Sequence, residues 1–78
     1  MVDLKETLRN IASAIVDNPD EVVVVCNESE SCINLTLSVA PDDMGMVIGR
    51  HGKIAKAIRQ IMKAAANTCG KHATVEIQ

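Results

Sequence analysis

Two glycines three residues apart, with cations around them, are the residues of this chain best suited to bind a ligand. Gly49 and Gly52 enclose Arg50 and His51, and Lys53 follows. Glycine has no Cβ, so a phosphate group could approach the backbone closely there. A helix that starts directly after the turn would add N–H groups and the positive end of its dipole. The spacing therefore predicts a turn whose amides, from Arg50 to Ile54, bind phosphate.

A purely structural turn is the simplest alternative, because two glycines could merely end one helix and start the next. Such a turn needs one glycine and no ring of cations, which favours phosphate binding. Lys56 and Lys63 continue the positive charge beyond the turn. They predict a basic track, although a solvated helix face would look the same.

The charge of the chain is divided unevenly between its two parts. The net charge of −2 alone argues against a general polyanion binder. Residues 1–43 carry two cations and nine acids, a balance of −7, whereas residues 44–78 carry six cations and one acid, a balance of +5. A basic region of this kind is typical of a nucleic-acid interface.

The composition excludes several classes of protein. The chain has no Phe, Tyr or Trp, which excludes modules that stack bases on aromatic side chains. Its two histidines, His51 and His72, have no acid at a useful spacing, so we expect no catalytic set and no enzyme. We likewise expect no cofactor and no small-molecule substrate.

Cysteine usage and hydropathy indicate a cytoplasmic protein. Cys26, Cys32 and Cys69 form no C-x-x-C pair, so they predict neither a disulfide framework nor a metal site. Small buried thiols in a reducing cytosol are the simpler interpretation. The longest apolar run, Val22–Cys26, is too short to span a bilayer, and we expect no membrane association.

Hydrophobic periodicity predicts the elements before the glycine turn. Asp3 to Asp17 reads as an amphipathic helix capped by Asp3, with an apolar stripe at helical spacing. Glu21 to Asn27 and Cys32 to Val39 read as two strands of an antiparallel hairpin. The acidic turn Glu28–Glu30 joins them.

The glycine turn itself lies between two predicted helices. Pro41 starts a short one over Met44 to Ile48, which Asp42 or Asp43 could cap. The longer one runs from Lys53 to about Cys69. Its predicted apolar face consists of Ile54, Ile58, Ile61, Met62 and Ala65. Its polar face consists of Lys56, Arg59, Gln60 and Lys63.

The last segment, Ala73 to Gln78, alternates like a strand and completes the order α-β-β-α-α-β. Two helices join the last two strands, and such a crossover favours parallel pairing. We therefore predict an α+β fold over residues 1–78 as a single domain. Its three-stranded mixed sheet has Cys32–Val39 in the centre and helices packed on one face.

This order, with Val-Ile-Gly-Arg-His-Gly between the middle helices, resembles the type II, bacterial KH domain. Within that family it resembles the small stand-alone KH proteins of the KhpA type. KH domains hold about four nucleotides of single-stranded RNA with a G-x-x-G loop. The resemblance therefore implies single-stranded RNA as the partner.

Residue by residue, Gly49 and Gly52 match the two glycines of the family motif, and Arg50 and His51 match its variable middle pair. The remaining candidate RNA-binding residues are Val47, Ile48, Lys53, Ile54 and Lys56. Of these, Val47 and Ile48 match the apolar pair before the loop, and Ile54 matches a residue where the groove meets the core.

The resemblance has further implications for the groove and the partners. It implies that the strand Ile33–Val39 forms the far wall of the groove and that the acidic turn flanks it, where its carboxylates would repel phosphate. It also implies a homodimer, a complex with an RNA-binding protein of the KhpB (Jag) type, and a role as RNA chaperone or post-transcriptional regulator. That role is tied in the family to cell shape, envelope growth and cell-wall organisation.

Two other functions are compatible with parts of the sequence. Two helices that meet at a glycine turn could form a helix-turn-helix DNA binder, but the first helix is short and two strands precede it. A protein-interaction module with weak or lost RNA binding is the other alternative, because an all-aliphatic chain of this size gains stability from a partner.

Overall fold

A computed structural model describes residues 3–78 of the chain. Met1 and Val2, which begin the predicted domain, lie outside the described residues. Within residues 3–78 the order is α-β-β-α-α-β, as predicted. The elements are α1 (Leu4–Ile15), β1 (Val23–Glu28), β2 (Cys32–Ser38), α2 (Met44–Ile48), α3 (Lys53–Thr68) and β3 (His72–Ile77). Short 3-10 turns lie at Pro19–Glu21, Pro41–Asp43 and Arg50–Gly52.

The three strands form a mixed sheet in the order β1-β2-β3. β1 and β2 are antiparallel, with Val25 opposite Thr36, and β2 and β3 are parallel, with Leu35 opposite Val75. The predicted central position of the second strand and the predicted parallel crossover are therefore confirmed.

The core lies between the helices and one face of this sheet. Alternation along the strands turns every second side chain towards the helices. Three elements contribute most of the buried side chains: α1 with Leu4, Leu8 and Ala12, β2 with Ile33, Leu35 and Leu37, and α3 with Ala55, Ile58, Met62 and Ala66. The opposite face of the sheet is open, and Val23 and Val25 of β1 are half exposed there.

Capping and a buried carboxylate fix the ends of the helices. Asp3 caps α1 as predicted, because its side chain accepts a hydrogen bond from the Glu6 amide at 3.1 Å. The predicted capping of α2 by an aspartate is wrong. Asp43 is instead buried, and its Oδ2 accepts hydrogen bonds from the backbone N and the Nδ2 of Asn18 at 3.0 and 3.1 Å. This contact ties the start of α2 to the chain that follows α1.

Within residues 3–78, the helices are too short or too polar for any of them to cross a membrane.

Candidate nucleic-acid interface

The loop between α2 and α3 has an unusual backbone. Gly49 (φ 75°), His51 (φ 57°) and Gly52 (φ 71°) all have positive φ angles. Glycine adopts this region readily, whereas it is uncommon for other residues, although histidine is among the more tolerant of them. Strained backbone of this kind is concentrated at functional sites.

Gly49 is required for a second reason, because it lies directly against Ile54. A Cβ built on Gly49 would lie 2.6 Å from Cγ1 of Ile54, which is closer than real Cβ contacts. A Cβ on Gly52 would meet nothing within 4 Å. The first glycine therefore allows the loop to fold back onto α3, while the second leaves the helix start open.

Some of the loop amides are already used within the loop. The Gly52 amide donates to the Gly49 carbonyl at 3.2 Å, and the Lys53 amide donates to the Arg50 carbonyl. These bonds close the Arg50–Gly52 turn and set the direction in which α3 begins. They also reduce the set of amides, predicted as Arg50 to Ile54, that could bind phosphate.

The loop lies on the surface with its cations exposed. Arg50, His51, Lys53 and Lys56 are exposed, and Gly49 and Gly52 are partly exposed. Ile48, just before the loop, is also exposed, whereas Val47 is fully buried in the core. The structure thus brings these predicted site residues to one end of α3 but places Val47 beneath the surface.

Ile54, which the resemblance matched to a residue where the groove meets the core, lies beside the loop. Its side chain is 37% exposed and rests against Gly49. Ala55, the next residue, points into the core.

Successive residues of α3 are 100° apart around its axis, so residues three or four apart share a face. By residue type and exposure, the helix has three such faces. The core face consists of Ala55, Ile58, Met62 and Ala66. An exposed apolar face consists of Ile54, Ala57, Ile61 and Ala64. An exposed basic face consists of Lys56, Arg59 and Lys63. The single apolar face predicted from the sequence was therefore wrong: Ile58 is 2% exposed, whereas Ile61 is 49% exposed.

The acidic turn is at the other end of the molecule from the glycine loop. The Lys71 ammonium, just beyond the C-terminal end of α3, pairs with the Glu28 carboxylate. The His72 amide donates to the Ser31 carbonyl at 2.9 Å. α3 has 16 residues and separates the two ends by about 24 Å. The acidic turn does not border the glycine loop, and Lys71 does not add to the positive charge there.

The strand Ile33–Val39 does not form a wall of a groove, which corrects another expectation. It corresponds to β2, whose two edges are paired with β1 and β3 and whose apolar side chains lie in the core. Among the described residues β3 is an edge strand, and it packs against α3. Arg59 of α3 reaches it, because its Nε donates to the Val75 carbonyl at 3.4 Å.

Arg59 is the residue of this surface that the sequence analysis did not select. It was placed on the polar face of the helix without a role. Its position three residues after Lys56 and four before Lys63 indicates from the sequence that it shares a helix face with both lysines. Its contact with β3 required the position of the strand, which the sequence pattern does not give.

Comparison with known proteins identifies the family. Residues 5–77 match the family model described as KhpA/KhpB, KH domain. The chain belongs to the KhpA/KhpB KH-domain family. It is 53% identical to the RNA-binding protein KhpA of Clostridium acetobutylicum, over 95% of this chain and 99% of that protein. It is 38% identical to RNA-binding protein KhpA of Listeria monocytogenes, over 95% of this chain and 97% of that protein.

A solved structure with low sequence identity shares the fold. It is a crystal structure of Era in complex with MgGDPNP and nucleotides 1506–1542 of 16S ribosomal RNA. The TM-score is 0.71 at 19% identity, over 95% of this chain and 28% of the Era chain. The chain thus spans less than a third of the Era length, and the likeness concerns the fold alone. Together with the family match, it confirms the type II KH architecture expected from the sequence.

Proposed function

We propose that this protein binds single-stranded RNA and that the Gly49–Gly52 loop holds the sugar–phosphate backbone. The observation that carries the proposal is the exposed loop with three positive φ angles at the start of a 16-residue helix. Membership of a family whose relatives are called RNA-binding proteins supports it. The proposed site residues are Val47, which would support the loop from the core, and the contact residues Ile48, Gly49, Arg50, His51, Gly52, Lys53, Ile54 and Lys56.

Backbone amides would bind the phosphate directly. His51 has left-handed dihedral angles (φ 57°, ψ 26°), and a left-handed residue in such a turn can direct successive N–H groups towards one side. Because the Gly52 and Lys53 amides are bonded within the loop, the proposal assigns the phosphate to the amides of Arg50, His51 and Ile54. Val47 would act from below, by fixing the end of α2, without touching RNA.

Charge would add to this backbone site. The dipole of α3 places partial positive charge at its N-terminus, and the first turn of the helix reads Lys-Ile-Ala-Lys. The planar guanidinium of Arg50 can bind phosphate through two hydrogen bonds, while Lys53 acts as a point charge. The basic face of α3 would then guide the strand away from the loop.

Single-stranded RNA is favoured over duplex DNA by the shape of the surface. A helix-turn-helix protein places a recognition helix in the major groove after a first helix that crosses the backbone. Here α2 has only five residues. Titrations with a single-stranded RNA, the same sequence as single-stranded DNA, and the corresponding DNA duplex should show the tightest binding to RNA. Preference for the duplex would support the helix-turn-helix alternative, and no binding to any of the three would support the protein-interaction alternative.

We also propose that the protein is a homodimer that associates through the exposed apolar face of α3. Ile54, Ala57, Ile61 and Ala64 repeat at intervals of three and four residues, which is the spacing of a helix–helix seam. This face is on the opposite side of α3 from the basic face, so a dimer would leave both basic faces accessible. Two linked grooves bind one RNA more tightly than one, without any new contact.

Sedimentation measurements over a range of concentrations test the dimer. Ile61→Lys should shift the protein to a monomer, because it places a charge in the apolar seam. Val25→Lys is the matched control, since Val25 is similarly exposed on the open face of the sheet. A parent protein that is monomeric throughout, or a dimer lost in Val25→Lys and kept in Ile61→Lys, would contradict the proposed interface.

Family resemblance supports a wider role, which we propose on that basis alone. The protein would act in the cytoplasm as an RNA chaperone or post-transcriptional regulator linked to cell shape and cell-wall organisation. A partner of the KhpB (Jag) type would share its RNA targets. The thiols of Cys26, Cys32 and Cys69 are free, but their predicted burial is wrong, because Cys32 and Cys69 are exposed and Cys26 is only partly buried. Crosslinking in cells, followed by sequencing of the bound RNA and identification of co-purified protein, tests these points.

A further inference from the structure

The side chain of Arg59 reaches the edge of the sheet. It lies on the basic face of α3, between Lys56 and Lys63, and its Nε donates to the Val75 carbonyl at 3.4 Å. It lies six positions after the first residue of the helix, which places it about 9 Å along the axis from the loop. It is therefore beyond the proposed phosphate site.

The Val75 carbonyl points away from β2, towards Arg59 of α3. The amides of His72 and Gln78 donate to Ser31 and Leu37, at 2.9 and 2.8 Å, and mark the two ends of the β2–β3 ladder. In a parallel ladder the residues of one strand alternate in the direction of their backbone groups. The even-numbered residues of β3 therefore face β2, and Val75 faces outwards. Arg59 lies along this outer edge.

The contact with Val75 leaves the other end of the guanidinium available. With Nε bonded to Val75, the two Nη groups remain as a planar pair of donors. Guanine presents two adjacent acceptors, O6 and N7, on its Hoogsteen edge, and arginine bonded to these two atoms is the commonest specific base contact. Cytosine also has two adjacent acceptors, O2 and N3, but they lie on its Watson–Crick edge. Adenine pairs N7 with an amino donor, and uracil and cytosine have no N7.

We propose that Arg59 determines base specificity by donating two hydrogen bonds to O6 and N7 of a guanine. The inference rests on the proposed binding of single-stranded RNA and adds a base preference to that site. The protein should then favour RNA that places a guanosine beside β3. If Arg59 only braced α3 against β3, or only contacted phosphate, the identity of the base would make no difference.

Binding of two short RNAs tests the inference directly. Hexauridylate is compared with the same oligomer carrying a single guanosine. Because all other nucleotides are identical, the oligomer can bind in several registers, one of which places the guanosine beside Arg59. The guanosine should raise affinity on the order of 5- to 140-fold, the range expected of a two-bond contact to guanine. Inosine, which keeps O6 and N7, should preserve the gain, whereas 7-deazaguanosine, which lacks N7, should lose most of it.

Two variants separate the role of the residue from that of its charge. Arg59→Gln should bring the ratio of the two affinities close to one. Lys63→Gln removes the same charge from the same face and should weaken both RNAs while keeping the ratio. Thermal unfolding of both variants shows whether their fold is intact. The comparison with 7-deazaguanosine uses the parent protein and therefore does not depend on the folding of a variant.

The outcomes distinguish this inference from the function on which it rests. If the parent binds both oligomers equally, or if Arg59→Gln keeps the preference, the role of Arg59 is overturned and RNA binding stands. If the parent binds neither oligomer, both proposals are overturned.

Discussion

At the scale of single residues, the two glycines of the loop have different tasks. Gly49 needs a positive φ angle and must also lack a Cβ, because Ile54 occupies the space that a Cβ would need, while Gly52 needs the φ angle alone. This difference is not visible in the sequence, where the two glycines look equivalent.

Stability measurements can separate these tasks. Gly52→Ala should lower the free energy of unfolding by about 1–2 kcal/mol, the cost of a left-handed backbone for a residue with a Cβ. Gly49→Ala should cost at least about 1 kcal/mol more, because its Cβ also clashes with Ile54. Urea denaturation of both variants measures the difference. Equal decreases in the free energy of unfolding for the two variants would show that the contact between Gly49 and Ile54 does not affect stability.

Residue-scale predictions from sequence were accurate for backbone signals and less so for side chains. Asp3 caps α1 and Gly49 ends α2, because the local chain alone determines both. Asp43 could not be assigned, since its hydrogen-bond partner Asn18 is 25 residues away in the sequence. Ile54 looked like a core residue by type, but the left-handed residues before it rotate α3 so that Ala55 faces inwards.

At the scale of elements, α3 connects two ends of the molecule that differ in charge. Its N-terminus carries the loop with Arg50 and Lys53, and its C-terminus leads to the ion pair of Lys71 with Glu28. The separation of about 24 Å is three times the distance of about 8 Å over which physiological salt screens exposed charges.

Neutralising the acidic turn should therefore leave RNA binding almost unchanged. We expect Glu28→Gln combined with Glu30→Gln to alter affinity at physiological salt by less than about twofold. As a comparison, Lys56→Gln at the other end should weaken binding and reduce the salt slope by about 0.7, the value for one phosphate contact on a single strand. A several-fold gain in the acidic-turn variant would place those carboxylates beside the RNA.

The order and type of the elements were predictable, whereas the roles of the strands were not. Periodicity, a β-branched run in β1 and the proline and glycine at the ends of α2 identified all six elements, and the bounds of α2 agree with the prediction. The prediction that β2 forms a wall of the groove was wrong. Alternation within β2 shows that one of its faces is buried, but it does not show which strand lies at the edge of the sheet beside α3. The sequence analysis also combined the core face and the exposed apolar face of α3 into one face, because exposed and buried isoleucines recur with the same helical period.

At the scale of the whole molecule, the division of charge gives a basic surface to a chain that is acidic overall. The −7 of residues 1–43 and the +5 of residues 44–78 combine to the net −2. A net charge of this sign should weaken binding to polyanions at positions away from the loop. Attraction should therefore depend on the few cations near α3.

The salt dependence of RNA binding should reflect this small number of contacts. A site that touches two to four phosphates implies a slope of log affinity against log salt of roughly −1.4 to −2.8 for a single strand. Between 50 and 200 mM salt, affinity should therefore fall about 7- to 50-fold. Titrations of a short RNA at several salt concentrations measure the slope. A flat response would indicate that phosphate is not bound and would favour the protein-interaction alternative.

The most direct test of the central claim is the RNA affinity of a variant with two carboxylates introduced into the loop, Arg50→Asp with His51→Asp. Both side chains are exposed, so circular dichroism should show an intact fold, while two carboxylates beside the phosphate should abolish binding. Arg9→Asp with Asn10→Asp is the matched control, because it replaces adjacent exposed residues of α1 with the same change in formal charge. We predict that the control keeps most of the parental affinity. RNA binding by the loop variant as tight as that of the parent would contradict the account.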